Sequence, residues 1–390
     1  MPPRVPAFDR LRAALVVLAV AHHAMLAHAG FAVLDPVHYL RSTAPVVDPL
    51  RWPAVDWPIV FGDGFFMLLM FLLSGLFAWP SLRAHGAGAY VRRRLLRLGL
   101  PFAVGVCVLM PLAHYPALLA RGEAAGLGDY WWRTLRHGPW PTGPLWFVWV
   151  LFAFDLAVSA LHAALGRHRR GDRVSAAGAR LADAFPARGS FPVLLAASLA
   201  VLLPGLLAWG SDHWFALGPF VAQASRIAPY AAYFALGVLL GAGGATRAGS
   251  AWQARLADRW IAWGAAALFA FAVLGETIVH FGAGGAGTGS AARFAYAGAL
   301  ALFAATAAHA ALALFLRFGA RPGAAWDGIA ANGYGIYLLH YLPLLWLQYA
   351  LLDSPLPAPA RIATAFAGAL AASWAATACL RRLPGAARVL

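Results

Sequence analysis

Lysine is absent from this 390-residue sequence, and charge of either sign is scarce, with Asp, Glu and Arg together making up only 12% of the chain. Soluble domains carry about 25% charged residues. So little charge, with 62% hydrophobic residues, excludes an ordinary soluble domain with short helices and a polar surface. There are only two cysteines, Cys107 and Cys379, and both fall inside apolar runs, so neither a disulfide nor a cysteine metal site is expected. No phosphate-binding glycine loop, zinc-ligand spacing or nucleophilic serine elbow occurs.

What the sequence does hold is apolar runs near the length that spans roughly 30 Å of hydrocarbon. Ten candidate spans follow, at about 11–33, 59–80, 98–119, 144–165, 191–209, 224–242, 260–280, 294–316, 329–351 and 361–380. The fold class expected is all-α, a polytopic membrane protein of about ten transmembrane helices, with residues 1–390 forming a single integral membrane domain in the lipid bilayer. Pro204 and Pro229 mark the two weakest spans, where kinks are expected. Arg4, Arg10 and Arg12 precede the first run without a small-residue cleavage site, which reads as an uncleaved first helix.

The formal charge of +15 invites a nucleic-acid reading. The arginines, however, lie between apolar runs rather than on one basic face, so no nucleic-acid partner is expected. They are sided instead: 22 fall in alternate segments counted from the N-terminus and eight in the others. That asymmetry predicts both termini in the cytoplasm. Segment 166–190 then reads as a mobile cytoplasmic loop, and the Gly/Ala stretch 282–292 as a flexible outer one.

Four constellations could carry chemistry. Arg12 and His23 are eleven residues apart, three helical turns plus about 20°, so they share a face separated by roughly 16 Å of rise. Polar groups at such depth face a cavity or the protein interior, so this face is expected to line a polar passage. Arg93, Arg94 and Arg97, ahead of the third span, offer guanidinium forks suited to phosphate groups of a soluble ligand or of anionic lipid. Tyr337 and His340 share a face of the ninth span. Glu276, four residues before His280, and Asp63, between Gly62 and Gly64, are carboxylates that could orient a histidine for base catalysis, as could Asp155. Each group also has a bland reading: Arg12 as a helix-end anchor, the arginine cluster as a topology signal, the histidines as satisfied core residues. Ser74-Gly75 reads as a packing feature.

Taken together, these segments resemble the membrane acyltransferase 3 family. Phe8-Asp9-Arg10-Leu11-Arg12 running to His22-His23 is similar to its opening Arg-x10-His helix. Phe65-Phe66-Met67 through Leu73-Ser74-Gly75, Arg93-Arg94-Leu95-Leu96-Arg97 through Pro101, Gly143-Pro144-Leu145-Trp146-Phe147 and Tyr334-Gly335-Ile336-Tyr337-Leu338-Leu339-His340 resemble later motifs in the same order. Pro144 stands where many relatives have His, and Gly333 where many have Ser. Segments 65–101 and 143–155 look like those of the glucan-succinylating branch.

The resemblance implies a bacterial inner-membrane enzyme that moves an acyl group, acetyl or succinyl, from cytoplasmic acyl-CoA to a hydroxyl of a periplasmic or cell-surface carbohydrate, with no metal. It places Arg93, Arg94 and Arg97 on the donor's phosphates and Arg12 along the path of its acyl-bearing arm. His23 becomes general base or acyl carrier, and Tyr337, His340 and Trp146 shape the substrate cavity. A transporter or flippase using the same polar face without chemistry is the alternative, and a membrane scaffold a third reading.

Overall fold

The computed structural model of the chain describes residues 5–35, 42–123, 125–166, 171–184, 190–211, 213–285, 289–319, 321, 323–386 and 389. Its helices are α1 (Pro6–Leu26), α2 (Asp56–Asp63), α3 (Phe66–His85), α4 (Ala87–Arg94), α5 (Leu100–Val104), α6 (Met110–Ala120), α7 (Leu127–His137), α8 (Trp146–Gly166), α9 (Gly171–Asp183) and α10 (Ser190–Trp209). After a two-stranded hairpin, β1 (Trp214–Leu217) and β2 (Phe220–Gln223), come α11 (Ala224–Ala242), α12 (Ala251–Asp258), α13 (Trp260–Phe281), α14 (Gly289–Phe318), α15 (Ala324–Leu339), α16 (Tyr341–Leu351) and α17 (Ala358–Leu380).

The protein is an all-α polytopic membrane protein. Among the described residues, eight helical stretches are long and apolar enough to cross a bilayer: 53–85, 87–120, 143–165, 190–209, 224–242, 260–281, 289–318 and 358–380. The other two expected spans differ for physical reasons. The 21-residue α1 carries Asp9, Arg10 and Arg12 in its first two turns. The ninth span is divided at His340 into α15 and α16. Pro343 has no N–H to give the Leu339 carbonyl, so the helix is interrupted one turn before it. Both elements nevertheless pack inside the bundle, α1 on α14, α15 and α17, and α16 on α6 and α17.

The α3–α11 interface is built on small residues. A Cβ at Gly75 would lie 2.1 Å from the Phe234 carbonyl oxygen, and one at Gly237 2.2 Å from that of Leu72, so only glycine lets the two backbones meet. Gly75 is therefore the packing feature expected of the Ser74-Gly75 pair.

Three boundaries depart from expectation. α1 begins at Pro6 and ends at Leu26, several residues before the predicted 11–33, because Pro6 sits in its first turn and the chain bends at Ala27. The arginine cluster lies inside a helix rather than ahead of one: residues 87–120 form one continuous helical stretch, with π-helical segments at Leu95–Gly99 and Gly105–Leu109. Within 166–190, expected as a mobile loop, α9 is docked on α11, since Gly178 lets its backbone approach within contact of Leu239 and Gly243. Residues 167–170 and 185–189 of that segment, 286–288 of the Gly/Ala stretch, and Arg4 lie outside the described residues.

The 87–120 stretch explains its own irregularity. Each of its prolines leaves a carbonyl unpaired four residues back. Pro101 frees Arg97, Pro111 frees Cys107 and Pro116 frees Leu112. Each orphan accepts a hydrogen bond from an aromatic donor: the Tyr334 hydroxyl at Arg97, Trp131 Nε1 at Cys107 (2.7 Å) and Trp346 Nε1 at Leu112 (3.1 Å).

Candidate functional site

Arg12, Arg94 and Arg97 lie at the same end of the bundle. Arg12 leaves α1 toward α3, donating from Nη2 to the Leu73 carbonyl (3.1 Å), with Asp9 at 3.4 Å and the Phe77 ring 4.4 Å beneath its guanidinium. It lies within the electrostatic reach of Arg94 and Arg97. Arg94 is held by the fully buried Asp155, 3.1 Å from its Nε, and Asp155 also accepts from the Tyr90 hydroxyl. Asp155 therefore serves Arg94 rather than a histidine. Arg93 and Arg97 are exposed and, among the described residues, make no ion pair. Tyr334, whose hydroxyl fastens the Arg97 carbonyl, stands in the field of both Arg94 and Arg97. The result is a group of guanidinium forks at one end of the bundle with hydrogen-bonding capacity left over.

Near the other end of α1, His23 is partly buried among rings from other helices. Its imidazole stacks on that of His340 (centroids 5.5 Å apart, 24° between planes) and meets Tyr341 edge-on at 5.1 Å and His22 at 5.4 Å. The Gln348 side chain caps α1 by donating to the His23 carbonyl (3.0 Å), which fixes the helix end carrying the imidazole. Among the described residues, neither ring nitrogen of His23 has a hydrogen-bond partner. His340 is completely buried, and its Nδ1 donates to the Tyr337 carbonyl (2.8 Å). That bond assigns the proton to Nδ1 and leaves Nε2 as an acceptor, which is buried without a partner. Tyr341 also meets His114 (5.5 Å), so three helical segments deliver imidazoles to one tyrosine.

Tyr337 is anchored by its hydroxyl to the Pro144 carbonyl (2.5 Å) and packs on Phe147 (5.7 Å). Trp146 stacks on Tyr230 (5.3 Å, 28°). The two carboxylates named as catalytic candidates are not brought to His23. Glu276 is exposed at the surface of α13, with His280 at 3.7 Å, and Asp63 pairs with Arg226 at 3.4 Å. The polar passage expected between Arg12 and His23 is closed in this structure. Leu15, Val16 and Ala19, which occupy the intervening turns, are buried in the apolar core. A cavity of about 10 Å³, no larger than a water, lies elsewhere, beside Arg226, Tyr233 and Ser198.

Sequence reasoning missed Tyr341, His114, Gln348 and Arg226 as members of these clusters. Arg226 carried a legible signal: it is an arginine inside an apolar span on the arginine-poor side, where an ionisable group marks a functional or paired position. The others are ordinary core residue types whose meeting depends on which helices touch.

A family model described as an acyltransferase domain matches residues 5–378, nearly the whole chain. No curated protein and no solved structure matches the chain significantly.

Proposed function

The chain belongs to the acyltransferase 3 family, and from that premise we propose that it transfers an acyl group from cytoplasmic acyl-CoA to a hydroxyl of a periplasmic or cell-surface carbohydrate. The observation that carries this reading is that α1 holds Arg12 within the arginine cluster and, roughly 16 Å along its axis, an imidazole whose nitrogens are unpartnered. The sided distribution of arginine supports a cytoplasmic location for the Arg94–Arg97 end and for both termini, as in a bacterial inner membrane.

In this reading Arg93, Arg94 and Arg97 hold the phosphates of CoA, and Arg12 steers the acyl-bearing arm toward His23. His23 takes the proton of the acceptor hydroxyl as its oxygen attacks the thioester carbonyl. A C–O bond forms, the C–S bond breaks, and the protonated imidazole returns its proton to the departing thiolate. Alternatively His23 attacks first and carries the acyl group before the hydroxyl receives it. The stack with His340 and the Gln348 cap hold the imidazole in place for either route. Neither Asp63 nor Glu276 has a part in orienting it. Because Val16 and Ala19 close the face between Arg12 and His23, turnover includes an opening of α1 from its neighbours.

The acyl group is acetyl or succinyl, the second favoured by the resemblance of segments 65–101 and 143–155 to the glucan-succinylating branch. The test is mass spectrometry of cell-envelope glycans from cells carrying the wild type, His23→Ala or no gene. The reading expects acylation only with the wild type, with the variant still folded in the membrane. Full acylation by His23→Ala would overturn the catalytic assignment, and solute movement without acyl-CoA consumption would favour a transporter.

A further inference from the structure

A second polar cluster sits beside the histidines. Asp63 ends α2 with its side chain 54% exposed, and its partner Arg226, in the first turn of α11, is buried. One turn further, the buried Tyr230 stands in the field of both charges. Its ring begins an aromatic row: Tyr230 stacks on Trp146, and Trp146 meets Trp214 of the hairpin edge-on at 6.5 Å. On the other flank is His22, 8% exposed, whose Nδ1 has no partner among the described residues. It lies beside the residue preceding Asp63, for a Cβ at Gly62 would stand 3.9 Å from that nitrogen. An accessible carboxylate among buried neighbours in an apolar bundle is placed for a polar ligand rather than for lipid. The cluster lies at the starts of α8 and α11, whose preceding loops are joined by the Thr142 hydroxyl donating to the Pro219 carbonyl (2.8 Å).

We propose that Asp63, Arg226, Tyr230, Trp146 and Trp214 form the acceptor subsite, and that it receives a polyhydroxylated sugar ring. The proposal rests on the transfer reading above and deepens it by saying where the acceptor lies. Asp63 has acceptor sites beyond the contact with Arg226 and accepts hydrogen bonds from hydroxyls on neighbouring carbons of the sugar. Tyr230 is covered by Phe71 (4.8 Å) on one side and Trp146 on the other, so the flat faces for the C–H side of the ring come from the partly exposed Trp146 and Trp214. His22 Nδ1 accepts or donates to the next hydroxyl, and the adjacent His23 ring, 5.4 Å away, meets the hydroxyl that receives the acyl group. A pocket of aromatic walls with a few placed polar groups is the usual form of a small-ligand site.

The experiment uses the full chain in nanodiscs, with a soluble glucan oligosaccharide as probe and acetyl-CoA or succinyl-CoA as donor. Saturation-transfer NMR reads sugar binding without turnover, and acyl-CoA consumption reads the reaction. Asp63→Asn and Trp214→Ala are expected to weaken sugar binding and raise the acceptor KM about tenfold or more, the loss of one charge-assisted hydrogen bond or one ring contact. The KM for acyl-CoA should move far less. Trp132→Ala, at an exposed tryptophan of α7 that is not part of the cluster, controls for surface changes. Wild-type sugar affinity in both variants, or no saturable sugar binding to the wild type, overturns the subsite. If His23→Ala abolishes transfer while Asp63→Asn and Trp214→Ala keep the wild-type acceptor KM, the subsite alone has failed. If sugar binding is lost in the two variants but acyl-CoA is never consumed, the subsite stands and the transfer reading falls.

Discussion

Two buried polar clusters lie within a few residues of each other near the end of α1, and they are built on opposite principles. In the first, His28, Asp48 and Arg361 saturate one another. The Arg361 guanidinium donates to Asp48 (2.7 Å) and to the carbonyls of Leu352 (2.9 Å), Ser354 (2.6 Å) and Leu356 (2.9 Å), while His28 Nδ1 reaches the Leu50 carbonyl (3.0 Å). In the second, His22 Nδ1, His340 Nε2 and Gln348 Oε1 are buried without partners among the described residues. An unmet buried polar group costs about 1–3 kcal/mol. The saturated cluster is a joint that ties the loop before α2 to α17 and the end of α1. The unsaturated one keeps bonding capacity that a ligand, a water or a moving proton can use, which is why its location carries the functional reading.

The strongest way to break that comparison is to exchange the consequences of mutation. His23→Ala removes a partly buried side chain that makes no hydrogen bond among the described residues, so thermal unfolding in detergent should change little while acyl-CoA turnover falls by about 10²–10⁴-fold, the usual contribution of a general base. Arg361→Met should do the reverse. Leaving Asp48 buried and uncompensated should destabilise the fold by about 3–5 kcal/mol, with turnover per folded molecule retained. A His23→Ala protein that unfolds, or an Arg361→Met protein as stable as wild type, would erase the distinction.

The same contrast recurs at the opposite end of α1 and predicts a smaller effect. Arg10 is nearly buried and saturated, bonded to Asp327 (2.7 Å) and to the carbonyls of Gly319 and Arg321. Arg97 is exposed and makes no ion pair among the described residues. Arg97→Ala should therefore raise the KM for acyl-CoA about tenfold, equivalent to one charge-assisted contact, with the difference from wild type shrinking as salt is added. Arg10→Ala should lower stability and leave the salt dependence of that KM unchanged. Steady-state kinetics across ionic strength separates the two.

The sequence made the regular half of this molecule legible and the irregular half only partly so. Hydropathy alone places α11 at 224–242 and α13 within a residue of 260–280, because long apolar runs leave few alternatives. It misjudged Ala87–Arg94, where arginines suggested a loop although no proline stands between Gly86 and Pro101. It also read through the interruption at His340, since a single proline three residues later is a weak local signal against an apolar span. Of the site, the Arg12–His23 face followed from helical period and His340 from its motif. The stacking of those two imidazoles, the Gln348 cap and the Asp63–Arg226 pair join residues more than a hundred positions apart. No spacing rule reaches across that separation.

The smallest predicted effect tests the links that brace the arginine-bearing helix. If Tyr334 is there because Pro101 orphans the Arg97 carbonyl, its hydroxyl is useful only while that carbonyl has no helical donor. Tyr334→Phe should then cost about 1 kcal/mol of stability, the worth of one hydrogen bond. In a Pro101→Ala background, residue 101 regains an N–H that can reach the Arg97 carbonyl, and the same substitution should cost almost nothing. A double-mutant cycle on thermal or denaturant unfolding measures that coupling. Equal costs in both backgrounds would mean that Tyr334 acts through the charges of Arg94 and Arg97 instead. The proline pattern would then be a coincidence of composition rather than the reason three aromatic donors converge on one helix.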